Sequence, residues 1–123
     1  MTTILIVEDN ELNRDMLSRR LIKKGYSIEF AEDGVEGLEK LASVKPDLVL
    51  MDIGLPIMDG WEATKKAKEN PDTEHIPIIA LTAHALEQDR QKAFDVGADD
   101  FDTKPVDFKR LLEKIENLVK KNN

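Results

Sequence analysis

Polar groups able to do chemistry stand where hydrophobic runs stop. Glu8 and Asp9 follow ILIV, Asp52 follows LVLM, Thr82 follows PIIAL, and Lys104 comes directly after FDT. Singly, each has a plain structural reading: helix cap, turn residue, strand hydroxyl or surface charge. Jointly they do not, because three carboxylates gathered on neighbouring strand ends repel by about 3 kcal/mol per pair at ~5 Å and an effective dielectric of about 20. A cation must offset that. Oxygen donors select a hard ion, Mg²⁺ or alternatively Mn²⁺, over Zn²⁺ or copper. Such an ion, with coordination positions left open, is a means of binding phosphoryl groups. Lys104 adds a second positive charge and Thr82 a hydroxyl donor. Asp52, central and carried by a strand, is the candidate nucleophile for an aspartyl phosphate.

That chemistry requires elements that bring the strand ends together. Ile4 to Val7, Leu48 to Met51 and Ile76 to Leu81 are short continuous apolar runs, the pattern of parallel strands covered on both faces. Tyr26, Ile28 and Phe30 alternate with polar residues, as in an edge strand, and a fifth strand near Asp99 to Thr103 is too acidic for a central place. Leu12, Met16 and Leu21 space the apolar face of a first helix. A second, capped by Asp33, carries Val35, Leu38 and Leu41. A third runs from about Trp61 to Lys68, and a fourth has only Leu86, Ala93 and Phe94. The last, capped by Asp107, carries Phe108, Leu111, Leu112, Ile115, Leu118 and Val119. Alternating strands and helices predict an α/β domain with a five-stranded parallel sheet in the order 2-1-3-4-5 and five helices on both faces. In that order the ligand site lies beyond the carboxyl ends of strands one and three, where the polar groups stand.

Composition narrows the partners. The chain has 123 residues, one domain's worth, with 18 Lys and Arg against 25 Asp and Glu and a formal charge of -7. Such a field disfavours direct contact with nucleic acid or anionic membranes. The sequence contains no Cys, which removes disulfides and thiol chemistry and is compatible with a reducing cytoplasm. The opening MTTILIVED has neither the basic start nor the apolar length of a signal peptide or membrane span. The expectation is a cytoplasmic, stand-alone domain over residues 1–121 without an output domain.

Glu8-Asp9, Asp52 followed by LPIMDG, Thr82-Ala83 and Lys104-Pro105 together resemble the response-regulator receiver domains of two-component signalling, and the resemblance runs from ILIVEDN to the final helix. It implies that Glu8, Asp9, Asp52 and the backbone carbonyl of Gly54 hold Mg²⁺. It implies that Asp52 takes a phosphoryl group from the phosphohistidine of a sensor histidine kinase or phosphotransfer protein, with Thr82 and Lys104 contacting that group. Phe101 matches the family's switch aromatic, which moves inward from the strand surface as Thr82 shifts, altering a helix 4, strand 5, helix 5 face for a downstream protein. Pro105 resembles the proline that follows a cis peptide bond. Gly54 and His84 stand at two rate-tuning positions and lack the groups that some fast self-hydrolysing members use. The implied activity is self-phosphorylation with slow hydrolysis, not enzymatic turnover.

Two rivals share parts of this pattern. A flavodoxin-like mononucleotide binder has the same topology, but EDNELN after strand one would repel phosphate without a metal. A phosphatase of the haloacid-dehalogenase type needs a second Asp where Gly54 stands. An adaptor with an unused rim stays open on the residues alone.

Overall fold

A computed structural model describes residues 1–83 and 86–121, so His84 lies outside the described residues. Strands and helices alternate throughout: β1 (Thr3–Val7), α1 (Glu11–Lys23), β2 (Ser27–Ala31), α2 (Gly34–Val44), β3 (Leu48–Asp52), α3 (Gly60–Glu69), β4 (Ile78–Thr82), α4 (Glu87–Asp95), β5 (Asp100–Thr103) and α5 (Phe108–Lys121). All strand pairs are parallel, in the order β2-β1-β3-β4-β5. The apolar runs are continuous because both faces of the inner strands are covered. Leu5, Val7, Val49, Met51 and Ile78 pack with Leu41, Ala63 and Ala67 of α2 and α3. Ile4, Ile6, Leu48, Leu50, Ile79 and Leu81 pack with Leu17, Leu21, Leu111 and Ile115 of α1 and α5.

The helix ends follow ordinary capping chemistry. Asp33 Oδ1 accepts from the Glu36 N–H at 2.8 Å, and Asp107 Oδ1 accepts from the Arg110 N–H at 3.2 Å. Three helical faces differ from expectation. Leu12 is 80% and Met16 53% exposed, while the buried residues of α1 are Leu17, Ser18 and Leu21. Leu12 lies in the first turn, and Met16 is one residue, hence about 100°, away from the buried stripe. In α4 only Ala93 is buried; Phe94 is half-buried to exposed, and Leu86 precedes the helix as its exposed cap residue. Val35 on α2 is likewise exposed, with Gly34, Gly37 and Leu41 forming the buried side.

Two glycines let the connection after β3 close on itself. A Cβ at Gly60 would overlap the carbonyl oxygen of Asp52, and one at Gly34 would overlap that of Met58. Gly54, in the same connection, has nothing within 4 Å of where a Cβ would stand. Gly60→Ala is therefore expected to cost about 2–3 kcal/mol of stability through overpacking against backbone, whereas Gly54→Ala stays within about 0.5 kcal/mol. Urea unfolding of both variants checks this, and equal losses would overturn the close-approach explanation.

Candidate functional site

The connection between β1 and α1 is organised from the first turns of the helix. Asn10 caps α1, its Oδ1 accepting from the Asn13 N–H at 3.0 Å. The buried Glu8 carboxylate accepts from the Asn10 N–H at 3.2 Å, from Asn13 Nδ2 at 3.4 Å and from Lys104 Nζ at 2.8 Å. Beside it, Arg14 donates to the carbonyl oxygens of Glu8 at 3.0 Å and Asp9 at 3.4 Å. The Asp9 side chain, unlike that of Glu8, is on the exposed side of the rim.

Asp52 ends β3 and is buried, 7% exposed. Its Oδ1 accepts from the Gly54 N–H at 3.2 Å and its Oδ2 lies 3.1 Å from Lys104 Nζ. The loop beyond is tightly turned: the Met58 N–H donates to the Pro56 carbonyl at 2.7 Å, and Ile57 between them has φ +67°, a costly conformation for a β-branched residue. Gly60 closes that loop by donating its N–H to the Ile53 carbonyl at 3.0 Å.

Glu8, Asp9 and Asp52 each offer one oxygen within 4.8 Å of the others. Among the described residues Lys104 alone bridges two of them, so its one positive charge against three carboxylates leaves two negative charges. That donor set and that residual charge fit a hard divalent cation and are ill-suited to a soft one.

Thr82 ends β4, buried and in register with Thr103 of β5, and its carbonyl accepts from the Lys104 N–H at 2.7 Å. The Lys104-Pro105 peptide bond is cis. Phe101 is only 9% exposed, packed with Ile53, Ala80, Ala93, Ala98 and Trp61. The surface starting position expected for its ring is therefore not the one observed. Three alanines around it leave the room that the ring fills. Asn13 and Arg14 were not legible as site residues, since on a helix they read as solvated polar positions. Their signal is spacing: they stand three and four residues after the cap, facing back over it.

The family model of the response regulator receiver domain matches residues 4–116. The chain is 36% identical over 117 residues to the polar-differentiation response regulator DivK of Brucella anthropi, covering 95% of each. It is 41% identical over 123 residues to the hybrid signal transduction histidine kinase I of Dictyostelium discoideum, covering 94% of this chain and 7% of that protein. Against several other curated relatives it spans about half their length, 51%. Among solved structures, the receiver domain of a sensor histidine kinase from Pseudomonas aeruginosa PAO1, with a magnesium ion coordinated in its active site cleft, has a TM-score of 0.88 and 32% identity, covering 96% of this chain and 97% of that one.

Burial works against the charged form of Lys104, yet the hydrogen bond to Glu8 and the charges of Asp52 and Glu8 outweigh it and hold the ammonium above the ordinary lysine value. With the folded value raised, the stabilisation is complete below the ordinary lysine range and disappears as pH rises through the raised value. Asp52→Asn removes one of the supporting charges, so the Lys104 midpoint is expected to fall. Side-chain NMR titration reads it directly. A midpoint that does not move would remove Asp52 from the network.

Proposed function

The chain belongs to the response regulator receiver family, and from that premise we propose that it is a phosphorylation-dependent switch with Asp52 as the phosphoacceptor. The observation that carries the reading is Lys104 bridging the buried Glu8 and Asp52 beside the exposed Asp9. The phosphodonor is the phosphohistidine of a sensor kinase or phosphotransfer protein. Glu8, Asp9, Asp52 and the backbone carbonyl of Gly54 would hold Mg²⁺, or Mn²⁺ in its place. When bound, the ion supplies charge neutralisation for the oxygens of the transferring group.

The chain's own groups account for the remaining steps. An Asp52 carboxylate oxygen attacks phosphorus in line, and the bond from phosphorus to the donor imidazole nitrogen breaks. The electron pair of that bond stays on the imidazole, which takes a proton from solvent. Lys104, already 3.1 Å from Asp52 Oδ2, is placed to pair with a phosphoryl oxygen, and Thr82 supplies a hydroxyl at the end of the next strand. Gly54 presents no side chain to position an attacking water, which favours a persistent acyl phosphate. His84 is assigned the same passive role on sequence alone. The domain is thus a self-modifying switch and not a turnover enzyme.

Output follows from the added charge, roughly -1.5 to -2 at neutral pH. Thr82 ends β4, the strand that lies between β3 with Asp52 and β5 with Phe101, so its reorientation would be felt by α4, β5 and α5, the face proposed for a downstream protein. The formal charge of -7 disfavours nucleic acid as a direct partner. No helix among the described residues is long and apolar enough to cross a membrane. A cytoplasmic location belongs to the same proposal.

Acetyl phosphate with Mg²⁺ is expected to modify Asp52, located by mass spectrometry after hydride trapping, and Asp9→Ala is expected to weaken Mg²⁺ binding. Undiminished labelling of Asp52→Asn would refute the assignment of the nucleophile. For the output, Mg²⁺ with beryllofluoride should shift backbone NMR signals across residues 86–104, less so in Thr82→Ala. Shifts confined to Glu8, Asp9, Asp52 and their neighbours would sink the coupling to α4 and β5.

A further inference from the structure

Glu8 and Asp9 are held by different means. The Glu8 carboxylate is fixed directly by Asn10, Asn13 and Lys104. Asp9 projects on the exposed side of the rim, so the direction of its side chain depends on the peptide groups on either side of its Cα. Those are the two peptide groups whose carbonyls, Glu8 O at 3.0 Å and Asp9 O at 3.4 Å, accept from Arg14 Nη1. The guanidinium is itself held in place. Its other terminal nitrogen lies 3.4 Å from Glu32 Oε1, and its central carbon lies 5.9 Å from the centroid of the Phe30 ring. With 14% of its side chain exposed, Arg14 ties the metal-facing connection after β1 to the end of β2 and the residue that follows.

We propose that Arg14 is a positioning residue for the divalent cation: by gripping both peptide groups that flank Asp9, it aims the Asp9 carboxylate at the oxygens of Glu8 and Asp52. The inference rests on the reading of those three carboxylates as the Mg²⁺ site. Two effects of Arg14 on that site have opposite signs. Its positive charge repels a cation, so removing the charge alone would tighten binding, although Glu32 already offsets much of that field. Its grip organises the ligands, so removing the grip would loosen binding. The geometry assigns the larger effect to the grip, because the bonds run to the ligand-bearing backbone and the charge is paired.

Lysine separates the two effects, since it keeps the charge but cannot reproduce the planar fork of donors that serves the carbonyls and Glu32 together. Mg²⁺ affinity of the intact protein, read by backbone NMR titration, is expected to fall on the order of tenfold in Arg14→Gln and by a similar factor in Arg14→Lys. In an Asp9→Ala background the further loss from either substitution should be small, because the residue being aimed is gone. A merely structural role would instead give the same factor in both backgrounds. Affinity that rises or holds in Arg14→Gln, affinity fully retained in Arg14→Lys, or additive losses with Asp9→Ala would each overturn the proposal. Wild-type protein that binds no Mg²⁺ would overturn the metal-site reading itself, a result distinct from these.

Discussion

Three carboxylates meeting one ammonium group at the end of a sheet is an arrangement that disperses unless the chain opposes it. At the separations involved, each like-charged pair costs about 3 kcal/mol at an effective dielectric of about 20. Lys104 offsets part of this by reaching from the connection after β5, past the ends of β4 and β3, to Glu8 at the end of β1. The group that neutralises the site therefore comes from the far side of the sheet from the groups it neutralises, and strand order becomes a condition of charge balance. Beneath the rim, β1 and β3 are buried on both faces, which leaves the carboxylates little freedom to separate by moving the strands that carry them. The residual negative charge is a feature the fold preserves, and with three oxygen donors it suits the rim to a hard cation.

The loops around the rim are closely built. Gly60 allows its helix to begin against the carbonyl of Asp52, and Gly34 lets the start of α2 sit against the carbonyl of Met58. Ile57 accepts an unfavourable backbone angle in the same loop. Strain of that kind persists only where the surroundings over-determine it, and here the surroundings are the packed starts of two helices.

Much of this was legible in the sequence, for a definite reason. Strands buried on both faces give unbroken apolar runs, and an edge strand such as β2 alternates, so the strand order and the five polar groups at the rim could be placed without coordinates. What was not legible depended on neighbours distant along the chain. Leu12, Met16 and Leu21 read as a core stripe, but of these Leu21 alone meets the sheet, joined by Leu17. The acidic run in β5 read as an edge strand, which it is, but not as one in which Asp102 would be 4% exposed, with Arg110 from the first turn of α5 placing Nη2 2.7 Å from its Oδ1. Asn13 and Arg14 look like any polar helix positions until the connection they hold is seen to carry the site. Gly34 and Gly60 show their purpose only when the opposing carbonyls are in place.

The same pairing of Asp102 with Arg110 bears on how the rim could communicate with a distant surface. On its α5 side β5 is fastened by charge: Asp102 by Arg110, and the carbonyl of Phe101 by Lys114 Nζ at 2.5 Å. On its α4 side it presents the Phe101 ring, which lies among Ala80, Ala93 and Ala98 in contacts that are apolar and without directional bonds. Charge-assisted hydrogen bonds resist displacement more than dispersion contacts between a ring and methyl groups do. A disturbance entering at Thr82, which is paired with β5 through Thr103, therefore meets a stiff boundary toward α5 and a compliant one toward α4. Of the two helices beside β5, α4 also buries the less of its own surface, with Ala93 its one buried residue. The asymmetry is one of anchoring: β5 is tied to α5 by charged groups at fixed distances and to α4 by side-chain packing alone.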